Sequence, residues 1–420
     1  MGLRNQLETE AAAARAALAH LTDSAVAETL VAASGLVRER AERILQANQL
    51  DYEAAAERLD AGTLDRLRLD EARIEGLASQ LGDMASLPPL DRTGASWRMS
   101  NGLEAAERRI PIGVVGANFE ARPNVALDVA AQLLKSLNCV VLRTGGAALG
   151  TVTVLVDEIL RPALERAGLP PGAVGLVRAS DREGARLLVS LPHLIPLVIL
   201  RGSGESTASL ARLAAEHGVR ALAHAEGGGV LYVHPSAEHD TAVRLIEQSL
   251  DRLGVCNRLN LLLIDRDAVA MAPGLVSKMQ TLGIDVRTSA PATEQGIAGN
   301  PLDAEIGHEW ANDSERVATV TVHVVESPGE AADIANDETS GLAAAIVAED
   351  AEAAAEFLDA YRGTAAFWNA STRFTDGYKL TGAPETGINV DFSPGPRGPV
   401  TYRDLWLRQY RVVGNGSESR

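Results

Sequence analysis

Apolar and polar positions divide the chain into three regimes. Through residues 4–86, Ala, Leu and Arg recur at helical spacing, and TDSAVAETL (22–30) opens with an N-cap signal, so this stretch is expected to be almost entirely helical. LPPLDRTG (87–94) breaks the pattern, and LEAAERRIPIGVVGANF (103–119) reads as extended chain. Alternation follows. The runs 112–119, 139–144, 173–179, 194–202 and 219–225 are short and apolar, and helical patterns separate them, including 122–137 with Pro123 near its start and 151–168. A second set comprises the strand-like runs 229–234, 259–264, 317–325, 342–350 and 365–370. Helices are expected between them over 240–252, 267–282, near 329–336 and over 351–362. Continuous apolar strands alternating with helices imply parallel sheets covered on both faces, hence an α/β fold. FSPGPRGPV (392–400) is a Pro/Gly-rich break, and LWLRQYRVVGNG (405–416) alternates like an exposed strand.

A chain of 420 residues is too long for one core and is expected to form two or three domains. Its 46% hydrophobic content is that of an ordinary globular protein, and no apolar run is long enough to span a bilayer. The first 20 residues are Ala-rich and charged without an apolar signal core, which points to a cytoplasmic protein. A net charge of −17 argues against nucleic acid as the main partner, while leaving room for a small anionic substrate held by local Arg and backbone N–H groups. Two cysteines, Cys139 and Cys256, make no disulfide framework. The eight His are scattered without ligand spacing, so no metal is expected.

No G-x-G-x-x-G follows a strand, and there is no Walker loop or G-x-S-x-G. IGVVGANFEARPNV instead joins a strand carrying Gly113 and Gly116 to a helix near Pro123, which places free N–H groups at a helix start. His224 and Glu226 precede three glycines that suit either close packing or a solvated turn. NASTRFTDG (369–377) gathers Asn369, Ser371, Thr372, Arg373 and Thr375 after an apolar strand, as in an active-site crevice or a capped loop. Cys256 lies on an irregular link after LDRLG (250–254) and before LNLLLI. A free Cys more often behaves as a small core residue, and the alternative is an accessible thiol with Arg258 nearby.

Together these stretches resemble the gamma-glutamyl phosphate reductases, a branch of the aldehyde dehydrogenase superfamily. LRTGG, LRGSGES, AHAEGGGVLYVH, GVCNRLNLLLI, NASTRFTDG and RGPV occur in family order over about residues 20–413. The resemblance implies two parallel-sheet α/β domains and a small oligomerisation flap. Residues 1–98 and 113–235 would form the cofactor domain, 236–368 the catalytic domain, 99–112 and 400–417 the flap, and 369–399 a return segment to the active site. It implies Cys256 as nucleophile and Asn124, with the Cys256 backbone N–H, as oxyanion donors. Arg122, Asn257, Asn369, Ser371, Thr372 and Arg373 fall on the substrate side. Gly113, Gly116, Arg143, Thr144, Arg201, Gly202, Ser203 and Glu226 fall on the cofactor side, the cofactor being NADP with NAD as the alternative. A homodimer or homotetramer acting on a small molecule in proline biosynthesis is the expected setting.

Several positions depart from the family pattern. Leu342 and Ala344 replace a His and an Asp-type polar pair, Asn260 stands for Glu, and Ala147 and Ala148 stand for Lys and Glu. These changes suggest a different acyl phosphate as substrate. Other readings are a hydrolytic aldehyde dehydrogenase with Glu226 as base for water, an acyl-thioester reductase on a different substrate, and an inactive binding relative.

Overall fold

The structure, a computed structural model, describes residues 2–59, 61–202, 204–224, 227–313, 315–393 and 395–417. It divides into two compact units. The first comprises residues 1–223, 383–387 and 400–420, the second 224–382 and 388–399.

The amino-terminal region is helical as its pattern predicts, with helices Leu3–Ala17, Asp23–Glu39, Ala41–Ala55, Ala61–Leu67 and Glu71–Ser86. Thr22 caps the second, accepting from the Ala25 N–H. These helices pack against a five-stranded sheet in the order Val174–Leu176, Cys139–Thr144, Val114–Phe119, Leu197–Arg201, Arg220–His224. The strand earliest in the chain lies at the centre. The next two build outward on one side and the last two on the other, so the winding reverses between Val114–Phe119 and Leu197–Arg201. The helix Asn124–Lys135 returns across the sheet with ten buried residues, from Val125 to Lys135.

The second unit repeats the scheme with seven strands: Asn300–Pro301, Asp285–Thr288, Thr319–Val325, Leu259–Asp265, Gly229–Val233, Ala343–Val347 and Ala366–Trp368. All six pairings are parallel. Alternation along Gly229–Val233 serves two cores. Leu231 and Val233 face one, with the helices His239–Ser249 and Ala272–Thr281. Val230 and Tyr232 face the other, with Pro328–Asp337 and Ala351–Ala360.

Two expected boundaries move. The cofactor-side unit ends at Ala223 rather than 235, because Gly229–Val233 pairs with Leu259–Asp265 and Ala343–Val347 of the second sheet. The antiparallel sheet expected from 99–112 and 400–417 begins earlier, at Thr93–Arg98, which pairs with Glu104–Pro111; the latter also pairs with Trp406–Val413. The strands Asp285–Thr288 and Asn300–Pro301 carry no strong apolar run and are not legible in the pattern. Among the described residues no helix is long and apolar enough to cross a membrane.

Candidate active site

Cys256 lies in turns between the helix His239–Ser249 and the strand Leu259–Asp265, and it is part-exposed, whereas Cys139 is buried. A residue just before a parallel strand sits at the amino end of the sheet. The carboxyl-end crevice suggested by 369–377 is therefore not where the thiol lies.

The backbone around Cys256 is fixed from two sides. Gly228 N–H donates to the Cys256 carbonyl at 2.7 Å and Gly229 N–H to the Arg258 carbonyl at 2.7 Å. The approach is close enough to exclude side chains. A Cβ on Gly227 would lie 2.5 Å from Cys256 Cβ, and one on Gly229 would lie 2.5 Å from Thr372 Oγ1. Gly228 also has φ of +100°. The glycine triplet is thus a packing surface for the cysteine turn, which decides between its two readings.

From the other side, Thr372 Oγ1 donates to the Asn257 carbonyl at 2.9 Å. Asn257 is 5% exposed, and its Nδ2 donates to the carbonyls of Arg373 at 3.2 Å and Thr375 at 3.0 Å. Arg373 Nη1 donates to Asn257 Oδ1, and its Nε donates to Asp251 at 2.7 Å. Ser371 and Ser249 share a hydrogen bond of 2.8 Å. Four expected substrate residues, Asn257, Ser371, Thr372 and Arg373, therefore brace the turn with the groups that were to bind substrate. Asn369 is separate. Its side chain grips both backbone groups of Ala348, at 3.1 and 2.9 Å, with φ of 50°.

The departures from the family pattern resolve in the same way. Asn260 is buried; its Nδ2 donates to the His308 carbonyl at 2.8 Å, and its Oδ1 accepts from Trp310 N–H at 3.0 Å. Ala344 lies in the core beside Tyr232 and Phe357. Leu342 packs with Ile388, Val390, Phe367 and Cys256. Of these three departures, Leu342 is the one packed with Cys256. Arg258 is fully buried and donates from Nη2 to the Thr319 carbonyl at 2.8 Å, while its Nε and Nη1 have no partner among the described residues. Burial pushes its guanidinium down to about 10, against the pull of Glu309.

In the first unit, the winding reversal marks where a doubly wound sheet holds a ligand, outside the carboxyl ends of Val114–Phe119 and Leu197–Arg201. Arg143 and Thr144 close one strand, and Arg201 and Gly202 end another at this edge. Arg143 is largely committed, donating to Asn118 Oδ1 at 3.1 Å and to the Asp181 carbonyl at 2.5 Å. Burial lowers its basicity, opposed by Glu120 and Asp181. The buried Thr144 Oγ1 has no partner among the described residues. Gly202 leaves space for the Glu120 carboxylate, 3.0 Å from where a Cβ would stand.

Gly113 and Gly116 do not belong at this edge. Gly113 precedes its strand at the amino end with φ of 122° and donates to Asn138 Oδ1 at 2.9 Å. A Cβ on Gly116 would lie 2.9 Å from Val198 Cγ1 and 3.0 Å from Ile195 Cγ2. Gly113 thus serves a left-handed backbone turn and Gly116 close packing inside the sheet, and neither lies at the carboxyl edge. Ser203 and Glu226 lie outside the described residues. Arg122 is part-buried on the link to the helix Asn124–Lys135, which Asn124 opens. Asn124 Nδ2 donates to Asp128 at 3.2 Å, a carboxylate that sequence reasoning passed over as one more helix residue. Its i,i+4 spacing from Asn124 was the available signal.

Two doubly wound sheets, one with a nucleotide-type edge and one with a braced cysteine, are the parts of an aldehyde dehydrogenase. The sequence profile of the aldehyde dehydrogenase family matches residues 4–305, and the chain belongs to that family, within its gamma-glutamyl phosphate reductase branch. The gamma-glutamyl phosphate reductase of Gluconobacter oxydans is 36% identical over 91% of this chain and 88% of its own length. The structure of the Thermotoga maritima gamma-glutamyl phosphate reductase superposes with a TM-score of 0.92 at 28% identity, covering 99% of this chain and 100% of that one. An acetylating aldehyde dehydrogenase from Geobacillus thermoglucosidasius shares the fold, with a TM-score of 0.69 at 17% identity over 100% of this chain and 98% of its own. The protein is therefore an oxidoreductase of the reductive aldehyde dehydrogenase type that uses a nicotinamide cofactor.

Proposed function

We propose that the chain reduces an acyl phosphate, glutamyl 5-phosphate or a close analogue, to the semialdehyde with NADPH, through a thioester on Cys256. The observation that carries this reading is the braced turn. Three carbonyls in succession, of Cys256, Asn257 and Arg258, are each held by a hydrogen bond, which fixes a part-exposed thiol outside any helix or strand. Such pre-organisation is what nucleophilic catalysis requires.

The thiolate attacks the acyl carbonyl and the C–O bond to phosphate breaks, so phosphate leaves with the bonding pair. The tetrahedral oxyanion would accept a hydrogen bond from the Cys256 N–H, and Asn124 is the residue to which the family resemblance assigns the second donor. A reduced nicotinamide, when bound, would supply the hydride that the thioester carbon needs. The resulting oxyanion collapses, releasing the aldehyde and restoring the thiolate. No base for water is needed, so Glu226 has no hydrolytic task here. The carboxyl edge of the first unit suits the dinucleotide: Arg201 and Gly202 stand before the helix Gly204–Glu216, whose first N–H groups suit a phosphate. NADP is the expected form. NAD is the alternative favoured by Ala147 and Ala148, which bring no cation to a 2′-phosphate.

The placement of Asn260 and Ala344 in the core removes much of the argument for a changed substrate, and Leu342 retains it. The exposed Trp97, Leu407, Tyr410 and Val412 on the antiparallel sheet suit association with a second copy, as a dimer or tetramer.

The test runs the reaction in reverse: glutamate-5-semialdehyde with NADP or NAD, with and without phosphate. Phosphate-dependent reduction of the cofactor, abolished in Cys256→Ala, is expected. Turnover independent of phosphate overturns the acyl phosphate reading.

A further inference from the structure

The carboxylate of Asp128 is the group in the first unit that the proposed chemistry leaves unused. It lies one turn into the helix Asn124–Lys135, part-buried, and among the described residues it makes no ion pair. Its side-chain hydrogen bond comes from Asn124 Nδ2 at 3.2 Å. Arg201, at the end of its strand, attracts it electrostatically, while Glu385 repels it. Burial pushes its carboxyl up to about 6. A carboxyl raised in this way binds protons more tightly folded than unfolded, so its ionised form weakens the fold as pH rises from 4 through 6. A residue that costs stability at neutral pH without an ion pair calls for a functional reason.

We infer that Asp128 is a positioning residue for the reaction: it holds the Asn124 amide in one orientation and polarises it. One amide N–H is engaged by the Asp128 carboxylate. That bond fixes which end of the amide is nitrogen and leaves the second N–H to donate to the oxyanion. An Asn without such a partner is free to turn its carbonyl toward the developing charge, which repels it. A carboxylate acceptor also draws positive charge onto the amide nitrogen, so the remaining N–H is the stronger donor in the transition state. Arg201 supplies the counter-charge that keeps Asp128 ionised at neutral pH. This inference rests on the assignment of Asn124 as an oxyanion donor.

The experiment compares Asp128→Ala, Asn124→Ala and the double variant, with Asp128→Asn as the shape-conserving control. Asp128→Ala is expected to lower kcat by about 10- to 100-fold, below the roughly 100- to 1,000-fold that loss of an oxyanion donor itself costs. KM should stay within about twofold, as for a group that acts only in the transition state. The melting temperature at pH 7 of both Asp128 variants should match or exceed that of the parent. In the Asn124→Ala background, Asp128→Ala should bring no further loss, because the residue it orients is gone. Wild-type kcat in Asp128→Ala overturns the proposal, as do multiplicative losses in the double variant or a lowered melting temperature in both Asp128 variants. Wild-type kcat in Asn124→Ala overturns the Asn124 assignment and this inference with it. Loss in Asn124→Ala with full multiplicative loss in the double overturns this inference alone.

Discussion

Arg373 separates a substrate anchor from a structural brace. Its guanidinium bonds Asn257 Oδ1 and Asp251, and its carbonyl accepts from Asn257 Nδ2. The Asp251 pair is half open to solvent, with side-chain exposures of 23% and 57%, so it contributes about 0.5 kcal/mol. The charged bond to the buried Asn257 is worth about 1.5–3 kcal/mol. Arg373→Ala is therefore expected to cost about 2–3.5 kcal/mol. Asn257→Ala loses the same charged bond and leaves the Arg373 and Thr375 carbonyls without their donor, at about 1 kcal/mol each, for a total of about 3.5–5 kcal/mol. The two changes share one bond, so the double variant should fall short of the sum by about 1.5–3 kcal/mol. Urea denaturation gives the stabilities, and steady-state kinetics and the rate of Cys256 alkylation report on the turn. Asp251→Asn, which removes only the solvent-exposed pair, should show only the small term. Arg373→Ala with unchanged stability, additive with Asn257→Ala and with KM for the acyl phosphate raised tenfold or more, would refute the brace.

Other outcomes follow from single contacts. Gly227→Ala should abolish activity, since its Cβ would stand 2.5 Å from Cys256 Cβ and 2.6 Å from the Cys256 carbonyl; normal turnover would mean that the turn is mobile. Asn260→Ala should cost about 2–4 kcal/mol in denaturation by stranding the His308 carbonyl and Trp310 N–H, without changing the ranking of acyl phosphates tested as substrates. Gly116→Ala should destabilise by about 1–3 kcal/mol through crowding of Val198, Ile195 and Leu188, with cofactor affinity unchanged in the folded enzyme. Iodoacetamide at pH 8 should label Cys256 alone. Burial pushes the Cys139 thiol up to about 12, so Cys139 should react only after unfolding, and the stability this thiol contributes should decline as pH rises from about 9 toward 12.

The linear pattern by itself determined that this is an α/β protein. Strands such as Cys139–Thr144 and Leu259–Asp265 are buried at every position, so they read as apolar-rich runs without polar alternation, and their helices carry separate amphipathic spacing. It also singled out Cys256 and Asn124 through motifs in order. It did not determine what the polar residues around them do. Asn257 lies more than a hundred positions along the chain from Thr372 and Arg373, and such side chains look alike whether they face a ligand or a carbonyl. Only the tertiary structure showed that they face carbonyls, that Asn260 braces His308–Trp310 and that Ala344 sits in a core. The same holds for the glycines. Gly116 and Gly227 are alike in composition, but the neighbours that forbid a Cβ at each come from distant segments. Local sequence encodes periodicity and backbone preference. Which hydrogen bond a polar group makes is decided by whatever the fold brings within about 3 Å of it, and that is a property of the whole chain.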